Sequence, residues 1–260
     1  MRQAPELPYV YELVVRDAVD SAMDEARRLA RAGAGEGTLV WAQEQTSAHD
    51  SSGRPQPSPR GNLYACLILQ PEYPPVISMQ LSYVAVVSLG QALANLALPM
   101  TDLRYVWPNA VQLSGSNAGA IMLEFVPRHA ENFPALLLLD VKVNVKSHSA
   151  VDDIGSTSLE AEGLDGVSAV EVLEGFARYF VSWINRWADA GFDPVRKAWT
   201  QRMAGLGEIR EMRLKEKTLT GKLVELDGRG ALIVESADGV RHTLSVADYY
   251  GLEAGRETGS

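Results

Sequence analysis

Two side chains in this sequence stand out as candidates for chemistry, Lys142 and His49. Lys142 lies in the run Leu136 to Val145, where every second residue faces the same way if the run is a strand. Asp140, Lys142 and Asn144 then share one face, and Val141, Val143 and Val145 the other. An ammonium on such a face binds a carboxylate or a phosphate once water is excluded. The plainer reading is an Asp140–Lys142 pair that faces solvent. His49 stands beside Asp50 in a polar stretch and has the right intrinsic pKa for acid–base work. Arg54 could take an anion, although a lone loop arginine is ordinarily solvated. The four histidines, His49, His129, His148 and His242, show no metal-ligand spacing, so no metal is expected. Cys66 is the single cysteine, which excludes an internal disulfide. It sits in the apolar run Leu63 to Leu69, where a thiol behaves as a small hydrophobe rather than a nucleophile.

These residues must be carried by strands and helices, and the apolar periodicity predicts them. Tyr9 to Arg16, Thr38 to Gln45, Asn62 to Leu69, Leu103 to Trp107, Gly119 to Val126 and Leu136 to Val145 read as strands. Ser21 is expected to cap a helix that Gly33 ends, with Asp24 three residues on as in a capping box. Leu81 to Leu96 reads as a buried helix. Leu173, Phe176, Phe180, Trp183 and Trp187 keep the helical period along another. Asp193-Pro194 is expected to open a further helix through Met203, with Asp193 as the cap. Thr46 to Gly61 and Ser147 to Gly166 are polar, glycine-bearing loops. Short strands at Leu219 to Leu226, Ala231 to Glu235 and Val240 to Leu244, joined by Asp-Gly turns, form a small all-β module. The expected division is 1–208, 209–252, and a loose tail at 253–260.

The 260 residues suffice for one large domain and a small one, and 46% hydrophobic content supports a real core. A net charge of −9 argues against nucleic acid as a partner, since such binding runs on Lys and Arg meeting phosphate. The start carries Arg2, Glu6 and two prolines, unlike a signal peptide, and Ala135 to Leu139 is too short to span a bilayer. We therefore expect a cytoplasmic protein with neither nucleic acid nor membrane as partner.

Several motifs, in order along the chain, carry a resemblance. Gln45-Thr46, Gly53-Arg54 and Gly61-Asn62-Leu63-Tyr64 are similar to the biotin protein ligase loop Q-T-x-G-R-G-R-x-G-R-x-W and its following GNLY. Trp107-Pro108-Asn109 resembles K-W-P-N-D, and Ala118 to Glu124 the strand after K-x-x-G-I. Val143-Asn144-Val145 resembles the end of G-x-G-I-N-V, Asp20-Ser21 the start of D-S-T-N, and Thr220 to Leu232 the family's C-terminal domain. The chain thus resembles the biotin/lipoate protein ligases over nearly its whole length. The resemblance implies an α/β (α+β) fold with a mixed sheet packed by helices and a small SH3-like β cap. It begins at the catalytic-type domain, without the DNA-binding module of the repressor-type ligases. It also implies that Ser21, Gln45, Arg54, Asn109 and Asn144 surround an acid and nucleotide pocket, with Lys142 beside Asn144.

Such ligases join an acid to ATP and pass the acyl group to a carrier-domain lysine, which needs cations at the phosphates. Here the G-R-G-R positions read Ala48-His49-Asp50-Ser51. Val106 and Asn117 replace the two motif lysines, Ala110 the aspartate after Asn109, Gln56 the loop tryptophan and Ala22 the threonine of D-S-T-N. The pattern implies a pseudoenzyme that binds biotin, lipoate or octanoate, or a biotinyl or lipoyl carrier domain, without using ATP. One alternative is an active acyl- or biotin-transferring enzyme with a rebuilt basic set, Lys142 and His49. Another is a non-catalytic structural partner in a larger assembly. A homodimer stays open.

Overall fold

The structure, a computed structural model, describes residues 4–49, 55–126, 135–149, 155–214 and 217–250. Its centre is a seven-stranded mixed sheet in the order β1-β2-β3-β7-β6-β5-β4. The strands are β1 (Glu12–Arg16), β2 (Thr38–Ala42), β3 (Leu63–Leu69), β4 (Leu103–Val106), β5 (Ala110–Leu113), β6 (Ser116–Val126) and β7 (Leu136–Val143). Only β1 and β2 run parallel; every other neighbouring pair is antiparallel.

Alternation along β3 explains how the two faces are filled. Tyr64, Cys66 and Ile68 point one way, into a small cluster with Ala22, Ala26 and Ala30 of helix α1 (Ala22–Arg31). Leu63, Ala65, Leu67 and Leu69 point the other way, into the main core. Alanine at every fourth position leaves α1 with a flat apolar stripe, so the helix lies close on the sheet. With both faces covered, β2 and β3 are buried at every residue.

The main core lies between the sheet and three helices, α3 (Leu81–Leu96), α4 (Ala169–Ala190) and α5 (Asp193–Thr200), with the short α2 (Pro75–Ser78) before them. Residues Pro75–Leu96 are long and apolar enough to cross a membrane by length and composition, but most are buried inside this fold. Gly90 of α3 is required by packing, since a Cβ there would lie 2.3 Å from the Tyr105 ring. Ser168 and Glu171 form the capping box that opens α4, and Gly191, at φ 71°, ends it. The indole N–H groups of Trp183 and Trp187 donate to Gln91 and Gln80 of the facing segment.

A second, four-stranded antiparallel sheet follows, in the order β11-β10-β9-β8. It comprises β8 (Ile209–Arg213), β9 (Thr218–Leu226), β10 (Leu232–Glu235) and β11 (Arg241–Leu244), and is followed by helix α6 (Val246–Tyr250). Its inward residues Leu223, Leu226, Leu232, Val234 and Leu244 join the main core. Tyr83 of α3 donates its hydroxyl to Gly230 O at 2.5 Å, tying the β9–β10 turn to the large sheet's helices.

The structure differs from the sequence expectations in definable ways. Asp193 is the first residue of α5 rather than its cap; its carboxylate pairs with Arg196 and Lys197 one turn on, which supports the helix from inside. The strand expected to reach Val145 stops at Val143, because the Asn62 side chain captures the next backbone N–H groups. Strands β5 and β8 and helices α2 and α6 lie outside the sequence expectations, although Val111 and Leu113 of β5 alternate inward. Strand β8 is an edge strand of mostly charged, exposed residues, which is how edges avoid unwanted pairing.

Candidate functional site

The chain's exposed loop and its buried strand meet at the N-terminal end of α1. Ser21 caps α1: its Oγ accepts from Asp24 N at 3.0 Å and donates to Asp24 Oδ2 at 2.7 Å. Gln45 completes the cap from outside the helix, its Oε1 accepting Ala22 N at 2.7 Å while its Nε2 donates to Ser58 Oγ at 3.2 Å. The first helical turn thus spends Gln45 on an otherwise orphan N–H, and the side chain is buried. Isolated bridges Gln45–Ser58 and His49–Pro55 fold the loop back on itself. Arg54 and Asp50, named from the sequence, lie outside the described residues.

Beneath this loop a cavity of about 230 Å³ opens between α1 and the α1-facing side of β7. Asp140, Lys142, His49, Ser21, Asp24 and Arg27 are among its lining. Lys142 Nζ stands 4.0 Å from Asp140 Oδ2. Its other partners are distant, with His49 O at 3.5 Å and Gln56 Oε1 at 3.4 Å. Those distances are at the outer edge of a hydrogen bond, so the ammonium keeps bonding capacity. Asp140 is 2% exposed, and its Oδ1 has no hydrogen-bond partner among the described residues. Burial pushes its carboxyl up to about 6 against the opposing pull of Lys142. Register places Cys66 on one side of Asp140 and Met122 on the other. Burial, and after it the Asp140 charge, pushes the Cys66 thiol well up, so it stays protonated and inert. Arg27 is committed elsewhere: it forks onto Glu124 at 2.7 and 2.6 Å and also meets Asp24.

The other residues named from sequence lie elsewhere. Asn109 is buried; its Nδ2 donates to Ile121 O at 2.7 Å and to Tyr250 Oη at 3.4 Å. Tyr249 sets its ring edge-on to Trp107, so α6 covers the Trp107-Pro108-Asn109 turn, whose Trp107–Pro108 bond is cis. The Asn144 amide donates to Thr157 O at 3.0 Å and Ser156 Oγ at 3.3 Å, holding the following loop instead of lining the cavity. Lys142, His49 and Ser21 are therefore brought together, with Gln45 behind them, while Asn109 and Asn144 anchor other segments. Among the described residues, no three His, Cys, Asp or Glu side chains gather as a metal set.

Sequence reasoning named Asp24 only as a capping residue and overlooked Arg27; both follow Ser21 at three-residue helical steps and so share its face at the cavity. It also overlooked the work of Asn62. That buried side chain accepts from Val145 N, Lys146 N and Ser147 N at 2.9, 2.9 and 3.1 Å, and donates to Ser147 O at 2.9 Å. It turns the chain out of β7 just beyond Lys142. Asn62→Ala strands these amides and is expected to cost about 2–4 kcal/mol of stability, read by urea denaturation. Asn62→Asp keeps the acceptor and is expected to cost less.

The architecture defines a class: a mixed sheet packed by helices, capped by a small antiparallel sheet, with a polar cavity at the loop over β7. Residues 56–201 match the model of the Biotin/lipoate A/B protein ligase family. The Biotin--[acetyl-CoA-carboxylase] ligase of Paracoccus denitrificans is 31% identical over 238 residues, covering 89% of this chain and 97% of that protein. The Bifunctional ligase/repressor BirA of Bacillus spizizenii is 27% identical over 236 residues, covering 90% of this chain and 72% of its own. The chain belongs to the biotin/lipoate A/B protein ligase family. Solved structures agree on the fold. Biotin protein ligase from Aquifex aeolicus in complex with biotin and ATP aligns with TM-score 0.75 at 22% identity, covering 91% of this chain and 97% of that one. A biotin protein ligase-like protein of unknown function from Silicibacter sp. TM1040 aligns with TM-score 0.77 at 21% identity, covering 96% and 99%.

Proposed function

We propose that this protein is a family member that holds a biotin- or lipoyl-type acid, or the carrier domain bearing one, without making an acyl-adenylate. The observation that carries the proposal is the cavity over β7. It is partly closed by the loop and lined mostly by polar side chains, among them the Asp140 carboxylate and the Lys142 ammonium, whose own hydrogen bonds among the described residues are long. The relatives supply the ligand class: one is named as a biotin ligase for a carboxylase, and the Aquifex enzyme was solved with biotin and ATP. Against ATP stand the replaced residues, with His49 and Ser51 at arginine positions of the resembled loop and Val106 and Asn117 at its lysine positions. Asn109, which the resemblance puts near the nucleotide, is enclosed by Ile121 and Tyr250.

A ligand that binds only the native state raises stability by mass action, about 2.7 kcal/mol at a hundred times its dissociation constant. In a thermal-shift screen, at least one of biotin, lipoate and octanoate is expected to raise Tm, and Mg-ATP alone is expected to leave it unchanged. A screen in which no acid shifts Tm would move the assembly-partner reading ahead. The enzyme reading keeps one observation in its favour, that His49 and Lys142 line the same cavity. Acyl transfer to a carrier domain that stops in both His49→Ala and Lys142→Met would establish it.

A further inference from the structure

An edge strand leaves a row of backbone groups unpaired, and a sheet must either cover that row or use it. The large sheet has two such edges, β4 and β1. Strand β4 is covered: Tyr105 N donates to Arg202 O at 2.7 Å, and Ala204 N to Tyr105 O at 2.8 Å. Strand β1 has no such cover among the described residues. Its ladder with β2 fixes which groups point outward. Glu12 N donates to Gly37 O at 2.9 Å and Gln43 N to Arg16 O at 3.0 Å, so Glu12, Val14 and Arg16 bond inward to β2. Leu13 and Val15 then turn their N–H and C=O groups away from the sheet. The side chains here are apolar as well, since Tyr9, Val10 and Val15 are exposed. An open edge with exposed apolar residues is a template for another chain.

The strand's own sequence selects that chain. Glu12-Leu13-Val14-Val15-Arg16 is complementary to itself when laid antiparallel about Val14. We infer that β1 is the interface of a two-fold homodimer, in which two copies join their large sheets edge to edge with Val14 at the axis. Leu13 and Val15 of one copy exchange N–H···O=C bonds with Val15 and Leu13 of the other. Glu12 of each copy stands opposite Arg16 of the other in a closely spaced pair, where opposite charges attract. Arg16 meets Glu25 at 2.7 Å, and its guanidinium has further donors for a second carboxylate. Centring the pair on Glu12 or on Arg16 instead would set like charges opposite each other. The same charges that guard the edge against other registers therefore favour this one. Strands β2 and β3 separate β1 from β7, so the inference stands apart from the cavity and from the proposed function. A five-residue edge buries less than the roughly 1,000 Å² of a tight dimer, so the dissociation constant is expected on the order of tens of micromolar.

The test is sedimentation equilibrium of the full chain. The parent is expected to pass from monomer to dimer between about 5 and about 300 μM, with no larger species because a two-fold contact closes on itself. Val15→Pro removes an N–H that faces away from β2, so it keeps the fold while blocking the edge. It is expected to weaken the dimer at least about tenfold with an unchanged circular dichroism spectrum. Glu12→Arg and Arg16→Glu each set like charges opposite in their own homodimers, and each is expected to weaken association about tenfold. An equimolar mixture of the two pairs opposite charges again and is expected to recover the parent's affinity. If Arg16→Glu does not fold, Val15→Pro and Glu12→Arg decide. A parent that stays monomeric up to about 300 μM would overturn the inference. So would a dimer that Val15→Pro leaves unchanged, or a mixture of folded charge variants that associates no better than its components.

Discussion

Incubated with labelled ATP, biotin or lipoate, and a carrier domain, the protein is expected to release AMP at least about a hundredfold more slowly than an ordinary ligase of its family. Adenylyl transfer spreads negative charge over phosphate oxygens, and preorganised cations are the main means of stabilising it. Loss of one such group commonly costs on the order of a hundred- to a thousandfold in rate. Here four positions that the resemblance assigns to Arg or Lys are His49, Ser51, Val106 and Asn117. Arg27, a cation near the loop, is already forked onto Glu124. Lys142 stands beside Asp140, which partly cancels its charge at any phosphate. Asp50 adds an anion to the same stretch of sequence. AMP release at an ordinary ligase's rate would show that another set of cations gathers when substrates bind.

The second large effect concerns Asp140 and pH. An ordinary aspartate titrates near 3.8, whereas burial holds this one at about 6. The folded state therefore binds its proton more tightly than the unfolded state does. Stability contributed by the protonated form is present below pH 4 and is lost as pH rises to about 6. A shift of roughly two units corresponds to about 3 kcal/mol, as an order of magnitude. Asp140→Asn keeps the shape and has no proton to lose. Urea denaturation is thus expected to show the variant gaining on the parent by about 2–3 kcal/mol between pH 4 and pH 7.5. Equal pH profiles would mean that water or a counter-charge reaches Asp140 in solution.

Much of the scaffold was legible because its signals are local. The apolar run Leu63–Leu69, the alternation of Asp140 and Lys142 with valines in Leu136–Val143, and the mostly apolar stretch Leu81–Leu96 mark those elements to within a residue or two. Alternation also placed Asp140 and Lys142 on one face, and the structure sets them together in the cavity. What was not legible depends on contacts distant in sequence. Asn62 ends β7 from 83 residues away, and Tyr250 reaches Asn109 across 141. Neither bond leaves a periodic or compositional trace. Asn144 shows the limit of alternation: it has the right parity, but the chain leaves the sheet at Val143 and its amide turns to Ser156 and Thr157. Ser21 and Gln45 are cap residues as well as neighbours of the cavity, so one residue type in one place serves two demands.

The central claim, an acid held without activation by ATP, is tested most directly by titrating biotin into the protein with and without Mg-ATP. An adenylating enzyme converts its bound acid and ATP into a tightly held acyl-adenylate and pyrophosphate, so ATP changes both the heat and the apparent constant. We predict a single biotin-binding isotherm that Mg-ATP leaves unchanged, with no pyrophosphate in the cell afterwards. Biotin affinity that tightens tenfold or more in Mg-ATP, with pyrophosphate released in step, would contradict it.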